Sequence, residues 1–136
     1  MLKKSVSCLI FFCIFIMQNI FILAKGEPTK KVIMIDLDGV LDNYTRYTDE
    51  IPSIRNGAKK FIKELSNNYE LVLFTTRNPK QAVNWLQENK IDKYFKDVTN
   101  VKFPAYIYID DRAIKFEGNY DKTIKEIESF RVHWKT

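Results

Sequence analysis

From Lys30 onward, short apolar runs alternate with segments whose apolar residues recur at helical spacing. "KVIMID" and "YELVLFTT" read as buried strands, and "AYIYID" is a third apolar run of the same kind. "KDVTN" reads as a further short strand. Between them, "NGAKKFIKELSNN" puts Ala58, Phe61, Ile62 and Leu65 at helical spacing, with Asn56 as its cap. "NPKQAVNWLQENK" opens with Asn78 as cap and Pro79 at the first helical position, and turns Ala82, Val83, Trp85 and Leu86 inward. "DKTIKEIESF" is a closing helix with Ile124 and Ile127 facing in. Strand and helix in this alternation predict an α/β domain with a parallel sheet.

In such a sheet the polar chemistry collects beyond the carboxyl ends of the strands. The three apolar runs end in Asp36, Thr75 and Asp110, so parallel alignment converges those side chains on one edge. Asp38 follows Asp36 by two residues and Asp111 adjoins Asp110, which concentrates four carboxylates there. Such a cluster is repulsive unless a cation sits in it. With hard oxygen ligands and neither cysteine nor histidine at hand, the expected ion is Mg²⁺. The single histidine, His133, lies in the tail and is expected at the surface. A carboxylate nucleophile beside a carboxylate-held cation suits phosphoryl transfer through an aspartyl-phosphate. The hydroxyl of Thr75 and the ammonium of Lys102 are expected to hold the remaining phosphate oxygens; Thr76 replaces Thr75 if the strand ends one residue later. Each piece alone is commonplace, and the order of the pieces relative to the strands is what gives them weight.

Composition narrows this picture only a little. The 136 residues leave room for one domain, and 46% hydrophobic with 29% charged residues is ordinary for a globular chain. The formal charge of +5 is spread over scattered lysines, so no nucleic-acid partner is indicated. The first two dozen residues differ in kind: "MLKK" is a positive head and "SVSCLIFFCIFIMQNIFILA" is apolar almost throughout. That is the order of a secretory signal cut after Ala24, or, at nearly the 20 or so residues that span a bilayer, of an uncleaved anchor. The expected organisation is therefore a leader over residues 1–24 and a domain over 25–136. The expected localisation is export to a periplasmic or extracellular space, with membrane attachment only through an uncleaved leader. Both cysteines, Cys8 and Cys13, fall in the leader, which leaves the domain without a disulfide or a thiol nucleophile.

In this order the residues resemble the haloacid dehalogenase-like (HAD) phosphohydrolase superfamily: "DLDGVL" its first motif, "LVLFT" its second, Lys102 its third and "IDD" its fourth. The similarity runs from about Lys31 to Ile127, and "KFPAYIYIDDRAIKFEGNY" is closest to small members without a large cap domain. The resemblance implies a three-layer Rossmann-like core with a mostly parallel sheet. It implies Asp36 as nucleophile, and Asp38 as the acid that protonates the leaving oxygen and then activates water. Mg²⁺ would be held by the side chains of Asp36 and Asp110 and the backbone carbonyl of Asp38, with Asp111 behind them or bound through water. Gly39 supplies tight backbone near the phosphate. A capless site suits a large or protruding phosphorylated substrate, and Tyr44, Arg46, Tyr47, Arg77 and Arg112 are candidates to contact it. The main expectation is thus a Mg²⁺-dependent phosphomonoester hydrolase; a non-catalytic binding module of the same fold and a phosphotransferase are the alternatives. A receiver domain is disfavoured, because there the acidic pair comes first and the acceptor aspartate later.

Overall fold

The computed structural model describes residues 29–135. The leader expected over residues 1–24, with both cysteines, lies outside the described residues. Among those described, no helix is long and apolar enough to cross a membrane.

Four strands, β1 (Val32–Asp36), β2 (Glu70–Phe74), β3 (Phe95–Thr99) and β4 (Ile107–Ile109), form one sheet in the order β3-β2-β1-β4. Every neighbouring pair is parallel. The helices are α1 (Ala58–Ser66), α2 (Pro79–Glu88) and α3 (Tyr120–Ser129), with a short 3₁₀ turn at Asp92–Tyr94. Parallel neighbours need crossover connections, and right-handed crossovers that step in one direction place their helices on the same face. Accordingly α1, through Ala58 and Ile62, and α2, through Ala82, Trp85 and Leu86, share one core with Ile33, Ile35, Leu71 and Leu73. Alternation along the strands sends Met34 and Val72 to the opposite face, where both are also buried.

The path of the chain sets the position of the site. It steps from β1 out to β2 and β3, then returns to the far side of β1 to make β4. The switch point therefore lies between the ends of β1 and β4, where open α/β sheets form their crevice. Register aligns the ends: Asp36 pairs with Phe74, Phe74 with Thr99, and Ile35 with Ile109. Asp36, Thr75 and Asp110 thus leave the sheet at one level.

Three expectations need correction. The α1 helix is capped by Gly57 in a left-handed conformation (φ 86°) without a side-chain hydrogen bond, and not by Asn56. By contrast, Asn78 caps α2 as expected, its side chain accepting from Lys80 N at 3.0 Å and Gln81 N at 3.4 Å. The run "AYIYID" yields only a three-residue edge strand, in which Ile107 and Tyr108 are exposed. Ile124 and Ile127 also face solvent, at 53% and 60% exposure, and no residue of α3 is buried. Apolar periodicity marks which side of a helix is greasy; it does not supply the surface that covers it. Phe61, at the margin of the α1 stripe, is likewise exposed.

Leu73→Ala, which empties the middle of β2, is expected to cost about 3 kcal/mol in urea denaturation. Ile127→Ala is expected to stay within about 0.5 kcal/mol of the parent. A loss at Ile127 as large as that at Leu73 would show that α3 is packed in solution.

Candidate active site

The turn after β1 builds the first wall. Backbone amides of Val40, Leu41 and Asp42 all point back to the Leu37 carbonyl, at 3.3, 2.9 and 3.3 Å. Asp42, fully buried, ties this turn from within: its Oδ1 accepts from Gly39 N at 2.8 Å and Tyr44 N at 3.1 Å. Arg55 clamps the turn from the other side, donating to the Asp42 carbonyl at 3.2 Å and the Gly39 carbonyl at 3.3 Å. Gly39 has φ +82°, and a Cβ on it would fall 2.5 Å from Asp111 Oδ2 and 2.9 Å from Trp134 Nε1. A side chain there would meet both a strained backbone and the acids of the last motif, so glycine is required.

The rim carries the acids as the register demands. One carboxylate oxygen from each of Asp36, Asp110 and Asp111 lies within 4.8 Å of the other two. Burial, reinforced by the charges of Asp110, Asp111 and Asp38, pushes the Asp36 carboxyl from 3.8 up to about 7, despite a backbone hydrogen bond from Leu37 that lowers it. Burial likewise raises Asp42 from 3.8 to about 6, against the hydrogen bond from Gly39 that lowers it. Asp111 Oδ1 is buried with no hydrogen-bond partner among the described residues; the nearest cation, Arg112 Nε, is 3.8 Å away. The other oxygen of Asp111 accepts from the indole of Trp134. Three clustered hard oxygens, in residues of which one, Asp111, also has a buried oxygen without a partner, fit a divalent hard cation.

A cavity of about 430 Å³ opens over these acids, lined by Asp36, Asp38, Thr75, Thr76, Asp110 and Arg112, with Tyr44 and Tyr47 on its sides. Thr75 is 3% exposed and its Oγ1 accepts from Arg77 N at 3.1 Å, whereas Thr76 is exposed. Lys102 is not among the lining residues. It is exposed, with its ammonium 4.4 Å over the Tyr108 ring. An exposed contact of that kind is worth only about 0.5–1 kcal/mol, so it does not fix the side chain.

Two residues do more than their sequence context suggested. Arg77, 4% exposed, donates to both oxygens of Asp38: from Nε at 3.1 and 2.9 Å, and from Nη2 to Oδ1 at 2.7 Å. Its other amino group bonds the Thr48 carbonyl, and Tyr47 stacks beneath it at 4.6 Å. His133, exposed as expected, bonds the Gly39 carbonyl through Nε2 at 2.7 Å, so the tail lies against the first motif. Asp42 was legible only as one more acid in "DGVLDN". Nothing in the sequence pointed to Arg55 or Trp134.

A family model described as NLI interacting factor-like phosphatase matches residues 31–100, the stretch that holds Asp36, Asp38, Asp42 and Thr75. The chain belongs to that family. A solved structure from Bacteroides thetaiotaomicron, described as a conserved protein, is similar in fold, with a TM-score of 0.53 and 20% identity over 74% of this chain and 92% of that chain. No curated protein sequence matches. Membership of the NLI interacting factor-like phosphatase family places this chain in the HAD superfamily of phosphohydrolases, with a small Rossmann-like core.

Removing Arg77 as Arg77→Met leaves Asp38 without its partner, and is expected to cost about 3 kcal/mol by chemical denaturation. Raised carboxyl values at Asp36 and Asp42 mean that, between pH 3.8 and about 7, the folded chain holds protons that the unfolded chain has released. Stability of the metal-free protein should therefore fall as pH rises through that window. Chelator-treated protein is expected to melt at a higher temperature near about pH 6 than near about pH 8; the reverse order would show that these two acids are not protonated in the fold.

Proposed function

We propose that this phosphatase-family chain hydrolyses phosphomonoesters with the help of Mg²⁺, through an aspartyl-phosphate on Asp36. The observation that carries the reading is the meeting of Asp36, Asp110 and Asp111 oxygens within 4.8 Å at the carboxyl rim. The side chains of Asp36 and Asp110, with Asp111 beside them and the Asp38 carbonyl, would hold the ion. When bound, Mg²⁺ offsets the repulsion between an anionic nucleophile and an anionic phosphate.

The chain's own residues would then act as follows. An Asp36 oxygen attacks phosphorus while the ester P–O bond breaks. Asp38 delivers a proton to the departing oxygen. Asp38 next takes a proton from water, whose oxygen attacks phosphorus and releases Asp36 and inorganic phosphate. Thr75, buried at the end of β2, would orient a phosphate oxygen, with Thr76 beside it on the cavity wall. Lys102 would join them only by leaving Tyr108. Asp38 must likewise turn one oxygen away from Arg77 before it can pass a proton. That clamp is the one observation favouring the rival reading, a binding module that does not turn over.

Among the described residues, the segment from Leu37 to Gly57 is a loop pinned by the Asp42–Ile54 bridge, and carries no inserted lid domain. An open site of this kind supports a substrate that protrudes beyond the reacting phosphate. Export through residues 1–24 belongs to the same proposal, and would put the phosphoester outside the cytoplasm.

The test is p-nitrophenyl phosphate hydrolysis by the full-length chain, with Mg²⁺ and with chelator, beside Asp36→Asn. Turnover is expected only with metal, and the variant should lose at least about a thousandfold, the scale on which nucleophile removal acts. Equal, negligible rates for parent and variant would favour the binding module.

A further inference from the structure

A second cleft, of about 380 Å³, adjoins the reaction cavity, and phosphoryl transfer makes no use of it. Among its lining residues are Arg46, Arg112 and Lys135, and no acid. Two aromatic side chains complete it: Tyr44 and Trp134 meet edge to face, with centroids 5.0 Å apart and planes at 78°. The Arg112 guanidinium lies over both rings, 5.4 Å from Tyr44 and 5.2 Å from Trp134. Two rings, together with Asp111 at 3.8 Å from Arg112 Nε, favour this position of the guanidinium beside the cleft. Lys135 stands 5.6 Å over the Trp134 ring. Among the described residues, neither Arg46 nor Lys135 has a carboxylate within salt-bridge distance.

Tyr44 and Arg112 line both cavities. A substrate whose reacting phosphate sits over Asp36 therefore has its next part directed past Tyr44, out of an acidic cavity and into a cationic one. An uncharged or cationic group there would leave Arg46 and Lys135 unanswered, and Arg112 with only Asp111, 3.8 Å from its Nε. A phosphate dianion would take charge-assisted hydrogen bonds from them, with arginine's planar fork suited to it. Resting on the phosphohydrolase reading, we propose that this cleft binds a second phosphate of the substrate, so that the favoured substrates are phosphomonoesters bearing two phosphates. Nucleoside bisphosphates and sugar bisphosphates share that chemistry.

Calorimetric titration of the full-length Asp36→Asn chain with Mg²⁺ present, which suppresses turnover without stripping the ion, separates the sources. One matched pair is adenosine 3′,5′-bisphosphate against adenosine 5′-monophosphate; the other is fructose 1,6-bisphosphate against fructose 6-phosphate. At least one bisphosphate is expected to bind about tenfold or more tightly than its partner, and the advantage should shrink with added salt. The doubly substituted Arg46→Ala, Lys135→Ala chain is expected to bring that ratio close to one. Preference confined to the adenosine pair assigns a nucleotide, preference confined to the fructose pair a sugar, and preference in both the phosphate itself. No preference in either pair, or a preference that survives the double substitution, overturns the proposal. p-Nitrophenyl phosphate carries no second phosphate and reports on the reaction separately. Turnover without bisphosphate preference overturns the subsite and spares the hydrolase reading. Preference without turnover supports the subsite and removes the reaction.

Discussion

Like charges brought to one place govern this structure. Two unit charges of one sign at about 4.8 Å repel by roughly 3 kcal/mol even at the moderate effective dielectric of a protein surface. Whole domains are stable by only about 5–15 kcal/mol. A fold that gathers oxygens of Asp36, Asp110 and Asp111 within 4.8 Å therefore cannot leave all three ionised and unattended. Without a cation, burial and the neighbouring carboxylates drive Asp36 toward its neutral form. Protonation and metal binding are two answers to the same repulsion, and they compete for the same oxygen.

The surrounding residues keep that repulsion from unravelling the rim. Asp42 and Arg55 hold the backbone of the Asp36–Tyr44 turn by hydrogen bonds to main-chain atoms, so its shape does not depend on the acids it presents. Arg77 removes Asp38 from the repulsive set by pairing it, and Tyr47 covers the outer face of that guanidinium. The remaining acids stand between β1 and β4, the one place where the strand order reverses and a crevice opens. Backbone topology chooses the location, and the side-chain pairings make it tolerable.

The strands and their polar ends were the most legible part of the sequence, because buried parallel strands are continuous apolar runs and their carboxyl ends have a fixed meaning. Hence Asp36, Thr75 and Asp110 were placed on one rim from letters alone, and Asn78 with Pro79 announced α2 unambiguously. Less legible was anything that depends on what lies across from a residue. Ile124 and Ile127 have the spacing of a packed helix and no packing. Lys102 sits at the expected point in the chain and leans on Tyr108. Arg77 was visible as a rim charge, but its pairing with Asp38, 39 positions away in the chain, was not. Trp134 reaches Asp111 from the far end of the domain, and no local pattern encodes such a meeting.

Strand β4 joins the sheet through three residues at its edge, opposite Ile33, Met34 and Ile35. The acids of the last motif are therefore anchored by the shortest of the sheet's three ladders, while Asp36 stands at the end of a central strand paired on both sides. An ion gripping both would act as a rivet between the sheet's interior and its margin. Whatever free energy it releases on binding is shared with the zipping of that margin, so occupancy and edge order rise and fall together.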